Sequence, residues 1–217
     1  MTDAHELRDL AAAFDCDLPV DRAELLLAYL DAMLEENRRV NLTAVRDRET
    51  AVVFHALDSL AVGSGTFEAD PAHVLDIGTG NGFPGVAIAC LFPEAKVLLM
   101  DRTLKKLKAI ERALAAVGLD TGRITTTQMD AGEAPAHGHR GSFDLVSARA
   151  VGPPTAMGAL AAPLLRSAGR LLCWLSAETE YDPSLSGGLR QENELRYELP
   201  GPEPRVRRLV SFAKERA

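Results

Sequence analysis

The stretch Val74-Leu75-Asp76-Ile77-Gly78-Thr79-Gly80-Asn81-Gly82-Phe83-Pro84-Gly85 decides how the rest of the chain is read. The apolar residues around Asp76 predict a buried strand, and the glycines behind it mark a turn where backbone comes very close to something. Pro84 suits the first position of a helix, because its fixed φ fits and its missing N–H would be unpaired there anyway. Strand, glycine loop and helix N-terminus together leave backbone N–H groups and the positive end of a helix dipole facing a ligand.

Two cofactor classes use such a loop. Gly78, Gly80 and Gly82 alternate behind Asp76, giving Asp-x-Gly-x-Gly-x-Gly, the pattern that S-adenosylmethionine-dependent methyltransferases place after their first strand. Shifted by one glycine, Gly80, Gly82 and Gly85 also satisfy the dinucleotide fingerprint. Asp101, which closes Lys-Val-Leu-Leu-Met-Asp, suits the ribose hydroxyls of either cofactor. Asp76 separates the two, since the dinucleotide turn begins right after its strand, whereas here a carboxylate precedes the turn and is placed to meet the amino group of a sulfonium cofactor. A tight turn without a ligand is the third reading, and the consistent spacing of three glycines, Asp76 and Asp101 argues against it.

With 217 residues, 47% of them hydrophobic, the chain can bury one substantial core. Cys16, Cys90 and Cys173 are far apart and form no C-x-x-C pair, so they read as reduced packing residues with neither a metal site nor a disulfide framework. A net charge of −7 argues against tight non-specific nucleic-acid binding, which leaves room only for a local basic face. No stretch resembles a signal peptide or is apolar for long enough to cross a bilayer, so a cytoplasmic location is expected.

Before the glycine loop the hydrophobic period is helical. Leu7, Leu10 and Phe14 predict a first helix. Asp21 with Glu24 resembles a capping box opening a second, and a third is expected over 48–62, carrying His55, Asp58 and Ser59 along one face. These helices form an N-terminal cap over residues 1–65, with a joint at 63–71. Residues 66–217 then alternate between strand and helix, the signature of an α/β fold built on a parallel sheet. Strands are expected at 73–77, 96–101, 123–129, 143–148 and 170–175, and helices at 84–92, 103–117 and 154–166. A flexible connection is expected at 176–191, and strands at 193–199 and 206–213 would close an antiparallel C-terminal hairpin at the sheet edge.

Sites in open α/β sheets lie at the carboxyl ends of the strands, which here present Gly78 to Phe83, Asp101, Asp130 to Gly132 and Arg149. Asp130 suits either an adenine amino group or the capping of its own turn. A guanidinium after an apolar strand needs an anion or a polar network, which makes Arg149 a cofactor, RNA or structural ligand. His55 and Asp58 read as a pair docking the cap onto the sheet or as positioning groups; the lack of a third triad member nearby favours docking. Arg38, Arg39, Arg46 and Arg48 on the cap, and Arg102, Lys105, Lys106 and Lys108 after the second strand, suit a phosphate backbone or are solvated faces.

Asn-Leu-Thr-Ala-Val (41–45), His-Ala-Leu-Asp-Ser-Leu (55–60), Asp-Ile-Gly-Thr-Gly-Asn-Gly-Phe-Pro-Gly (76–85), Asp101 with Lys105-Lys106, and Ser-Ala-Arg-Ala (147–150) together resemble the bacterial ribosomal RNA small subunit methyltransferase G family. The resemblance runs from about residue 20 to Arg208-Leu209-Val210. It implies a class I, Rossmann-like methyltransferase that moves a methyl group from S-adenosylmethionine to guanine N7 in the decoding-region 530 loop of 16S rRNA, free or in a small-subunit particle. It implies cofactor contacts at Gly78, Phe83, Ala131, Gly132 and Arg149, and no metal; a monomer is expected. The chain departs from the family pattern after the strand at 170–175, where Trp174-Leu175-Ser176-Ala177 replaces a Lys-Gly pair. A non-catalytic RNA-binding relative and a dinucleotide-dependent oxidoreductase are the alternative classes.

Overall fold

The structure, a computed structural model, describes residues 2–67, 70–119 and 121–215; residues 68 and 69 of the expected joint lie outside them. Its strands are β1 (His73–Ile77), β2 (Lys96–Asp101), β3 (Ile124–Gln128), β4 (Phe143–Arg149), β5 (Leu165–Ser176), β6 (Ser184–Leu185), β7 (Leu189–Leu199) and β8 (Arg205–Lys214). They form one sheet in the order β3-β2-β1-β4-β5-β8-β7-β6. Strands β1 to β5 pair in parallel, and β8 runs antiparallel between β5 and β7. The C-terminal hairpin therefore does not simply hang on an edge. Strand β8 is paired on both sides and buries Leu209, Val210 and Phe212 as an inner strand does.

The helices are α1 (Ala4–Ala12), α2 (Val20–Asn37), α3 (Arg48–Ala51), α4 (Asp58–Leu60), α5 (Gly85–Leu91), α6 (Leu104–Ala116) and α7 (Pro154–Ala161). Helix α2 starts ahead of the expected capping box: the Pro19 carbonyl accepts from Arg22 N (3.0 Å) and Ala23 N (2.9 Å), which places Asp21 inside the first turn. The third predicted helix is one continuous path with a change of pitch. It begins at α3 behind an Asp47 cap, widens to a π-helix at Val52–Leu57, returns to α4 and ends in a 3-10 turn at Ala61–Gly63. Such π segments recur at functional sites, and this one carries Phe54 and His55.

Three other boundaries differ from expectation. Pro84 sits before α5 as its cap residue, after a cis Phe83–Pro84 bond; its carbonyl accepts from Ile88 N (3.0 Å), and Asp76 holds the next amide, Gly85 N. Helix α7 ends at Ala161 because Pro163 has no N–H to continue it, and β5 starts at Leu165, opposite Phe143. Part of the expected flexible connection is ordered as β6 and the start of β7.

Apolar side chains form one cluster on each face of the sheet. On one face, Leu26, Leu30 and Met33 of α2 and Leu57 share a core with Ile88 of α5, Ile110 of α6 and Leu99 of β2. On the other, Leu75, Val146, Leu171 and Phe212 pack beneath Met157 and Ala161 of α7. Polar ties reinforce the first cluster. The fully buried Tyr29 donates its hydroxyl to Asn81 O (3.0 Å), and Arg112 of α6 pairs with Glu36 of α2. The cap thus lies against α5 and α6, beside the carboxyl end of β1.

Candidate functional site

The glycine loop is built tightly from within. Gly82 has φ +90, and a Cβ there would meet the Tyr29 hydroxyl at 2.0 Å; one on Gly85 would meet Leu99 at 2.3 Å. Asp76 lies beneath this loop, fully buried, accepting from Gly85 N (3.1 Å) with one oxygen and from the Ser147 hydroxyl (2.7 Å) with the other. Burial pushes its carboxyl up to about 6. Asp76 lines neither cavity described below; its two oxygens join β1, β4 and the start of α5. Most loop amides are also occupied internally. Thr79 N bonds Met100 O, Gly80 N bonds Asp101, Gly82 N bonds Thr79 O and Phe83 N bonds the Asn81 side chain.

Two cavities meet above the loop, sharing Gly78, Lys106 and Ala150. The one at the ends of β2 and β3 measures about 520 Å³ and is lined by Met100, Asp101, Met129, Asp130, Ala131, Val151, Met157 and Leu160. Asp101 accepts from Gly80 N (3.1 Å) and Thr103 N (2.8 Å), which fixes its carboxylate at the rim with acceptor capacity left over. Asp130 does cap its own turn, accepting from Gly132 N (2.9 Å), and lies 3.6 Å from Arg102. Gly132 itself lines neither cavity, and Gly82 lies below them. Val151 closes over Gly78, within 3.0 Å of where a Cβ would sit.

The second cavity, about 490 Å³, opens between the cap and the sheet and is lined by Thr43, Phe54, His55, Asp58, Gly80, Asn81, Phe83, Arg149, Arg205 and Arg207. His55 and Asp58 do not bond each other. The His55 ring meets the Thr43 hydroxyl through Nε2 (3.0 Å) and stacks on Phe83 at 5.9 Å, while its buried Nδ1 has no partner. Burial, then the nearby Arg149 guanidinium, hold its pKa down at about 4, so the ring is neutral. Asp58 is the docking member: its carboxylate accepts from Arg149 (3.1 Å), the Tyr197 hydroxyl (2.7 Å) and Arg207 (3.4 Å), and its carbonyl accepts from Trp174 Nε1 (2.8 Å). Arg149 also donates to Phe54 O (2.9 Å) and Phe83 O (3.3 Å), so it is held by a structural network on the cavity wall.

Of the expected basic residues, Lys106 lines both cavities and Lys105 neither. On the cap, Arg38 pairs with Glu35, Arg39 with Glu36 and Arg48 with Asp31, and Arg46 bonds Asn37 O and Asn41; all lie away from the two cavities. Arg205 and Arg207 were not singled out from sequence, although the Arg-Val-Arg-Arg run at 205–208 puts them on one face of a strand. Asn37 was also missed. Its side chain, 2% exposed, donates to Thr43 O and Val45 O and accepts from Leu42 N and Thr43 N, shaping the loop that forms the cap-side wall. Ser176, in the stretch that departs from the family pattern, sits opposite Arg207 and bonds Thr179. The three cysteines are free and buried. Among the described residues no cluster could hold a metal, and no helix is long and apolar enough to cross a membrane.

Comparison with known proteins agrees with this architecture. The chain is similar to an S-adenosylmethionine-dependent methyltransferase, SibL, with a TM-score of 0.50 at 20% identity over 67% of this chain and 51% of that one. Relatives named ribosomal RNA small subunit methyltransferase G match at 36% identity in Symbiobacterium thermophilum, covering 89% of this chain and 82% of the relative, and at 35% in Solibacter usitatus, covering 92% and 94%. The family model described as rRNA small subunit methyltransferase G matches residues 22–183, well over half of the chain. With a class I methyltransferase sheet, a glycine loop at its switch point and this match, the chain belongs to the rRNA small subunit methyltransferase G family.

Proposed function

We propose that this chain transfers the methyl group of S-adenosylmethionine to N7 of a guanine in the 530 loop of 16S rRNA, acting as a cytoplasmic monomer on the RNA or the small-subunit particle. The observation that carries the reading is the pair of cavities joined at Gly78, Lys106 and Ala150. One has a carboxylate at its rim and an apolar slot, as an adenosyl group requires, and the other has rings and guanidinium groups, as a nucleotide requires.

The residues fit the cofactor. Asp101 would hold ribose hydroxyls, while Met129, Ala131 and Leu160 would flank the adenine beside Asp130. When bound, S-adenosylmethionine supplies an electrophilic methyl group on a cationic sulfur. Guanine N7 carries an exposed lone pair and needs no deprotonation, so the chain's task is to orient the base and exclude water. The site contains no group prepared for covalent attack, because Cys16, Cys90 and Cys173 are buried and burial pushes each thiol up to about 12. Arg149 and Asp58 keep the wall in place, and neutral His55 adds no charge beside the base.

The test is mass mapping of small-subunit rRNA, from cells lacking this gene, after incubation with the purified chain and cofactor. One new 7-methylguanosine in the 530 loop is expected. Unmodified rRNA alongside measurable cofactor binding would refute the substrate and favour a different RNA or a non-catalytic role.

A further inference from the structure

The cap-side cavity is lined by three ring side chains, and their faces differ in what covers them. Phe83 is buried, stacked by His55 at 5.9 Å and tilted against Tyr29 at 5.6 Å, so neither Phe83 nor the His55 face toward it is available. Phe54 is half-buried and its face is covered by a cation: the Arg205 guanidinium lies 4.7 Å from the ring centroid. Arg205 is itself exposed, at the first position of β8, and forms no ion pair with a described residue. The Phe54 backbone, by contrast, is held in the π-helical segment with its carbonyl bonded to Arg149.

Resting on the methyltransferase reading above, we propose that Phe54 is the stacking platform for the target guanine, and that Arg205 leaves the ring when the base arrives and pairs with a flanking phosphate. A planar guanidinium over an aromatic ring occupies the space a stacked base would take, so the exchange keeps the ring face covered, a cation–π contact giving way to base stacking. The moved cation then meets an anion together with Lys106 on the same cavity wall, which gives an acidic protein the local positive charge that RNA contact requires. Stacking is tolerant of base identity, so this assignment concerns holding the base and leaves base choice to other groups.

The experiment compares Phe54→Leu, Phe54→Trp and Arg205→Ala with the unaltered chain, in methylation of small subunits and in binding of a single-stranded 530-loop RNA oligonucleotide at several salt concentrations. Phe54→Leu is expected to weaken oligonucleotide binding and raise KM by about tenfold, with cofactor Kd and the salt slope unchanged. Phe54→Trp retains binding. Arg205→Ala lowers the magnitude of the salt slope by about 0.7, the value for one lost phosphate contact on a single strand, without a change in cofactor Kd. Unaltered oligonucleotide binding in Phe54→Leu, loss of binding in Phe54→Trp, or an unchanged salt slope in Arg205→Ala overturns the proposal. If the unaltered chain binds the oligonucleotide with this pattern but methylates nothing, the functional reading fails and the platform stands. Methylation that survives Phe54→Leu at full efficiency leaves the function intact and removes the platform.

Discussion

Replacing Asp58 with alanine tests the reasoning about the site's frame most directly. The carboxylate is 3% exposed and accepts from Arg149, whose side chain is 10% exposed, from the Tyr197 hydroxyl, and from Arg207, which is 24% exposed. Removing it leaves Arg149 with two backbone carbonyls as its acceptors and without its paired carboxylate. Loss of one partner from a buried pair costs about 3–5 kcal/mol, mainly from the charge left behind. The chain's single tryptophan, Trp174, donates to the Asp58 carbonyl, so its fluorescence in urea reports unfolding from beside the altered residue. Asp58→Ala is expected to unfold with a loss of about 3 kcal/mol or more, and adding Arg149→Met to it is expected to recover part of that loss. A loss below about 1 kcal/mol, the range of exposed ion pairs, or a double variant no more stable than Asp58→Ala, would refute the claim that a buried charge network docks the cap.

Three further outcomes follow from the same geometry. The folded pKa of His55 is depressed from 6.5 to about 4, so its contribution to stability is present above 6.5 and is lost as pH falls toward 4. At 1.36 kcal/mol per unit the contribution is about 3 kcal/mol; urea midpoints between pH 7 and 4 should fall more steeply for the native chain than for His55→Asn, and parallel curves would disprove it. Asn37→Ala removes four hydrogen bonds from the 41–46 loop and should cost about 1–3 kcal/mol, with faster amide exchange at Leu42 and Thr43; unchanged exchange there would show that the loop holds itself. Gly85→Ala drives a Cβ into Leu99 and the Asp76 carboxylate, so about 1–3 kcal/mol and much of the cofactor affinity should be lost, whereas native affinity would mean that α5 shifts freely.

Local sequence carried the parallel strands, the glycine loop and the sheet's switch point, because each depends on short-range signals: an apolar run, a carboxylate, and glycines at positions of positive φ. Asp101, marked as the carboxylate closing the second strand, Ala131, implied by the family resemblance, and Lys106, from the basic cluster after that strand, line the cavities. Boundaries set by competition for hydrogen bonds were not legible. Whether Pro84 lies inside α5 or caps it depends on how the loop runs into the helix, with Val86 N bonding Gly82 O and Ile88 N bonding Pro84 O, and where β5 begins depends on Leu165 finding Phe143. Charge was the least legible property. Asp76 reads as a ligand-facing group and Arg149 as a cofactor, RNA or structural one; both are held by partners within the chain, Arg149 on the cavity wall, while the cation resting on Phe54 comes from Arg205, 151 positions further along the chain. Sequence alone therefore determined which strand ends would gather at the switch point. Only the tertiary structure decided which side chains there face a cavity and which are consumed in holding it, because exposure and pairing depend on neighbours that β8 and the cap bring from far away in the chain.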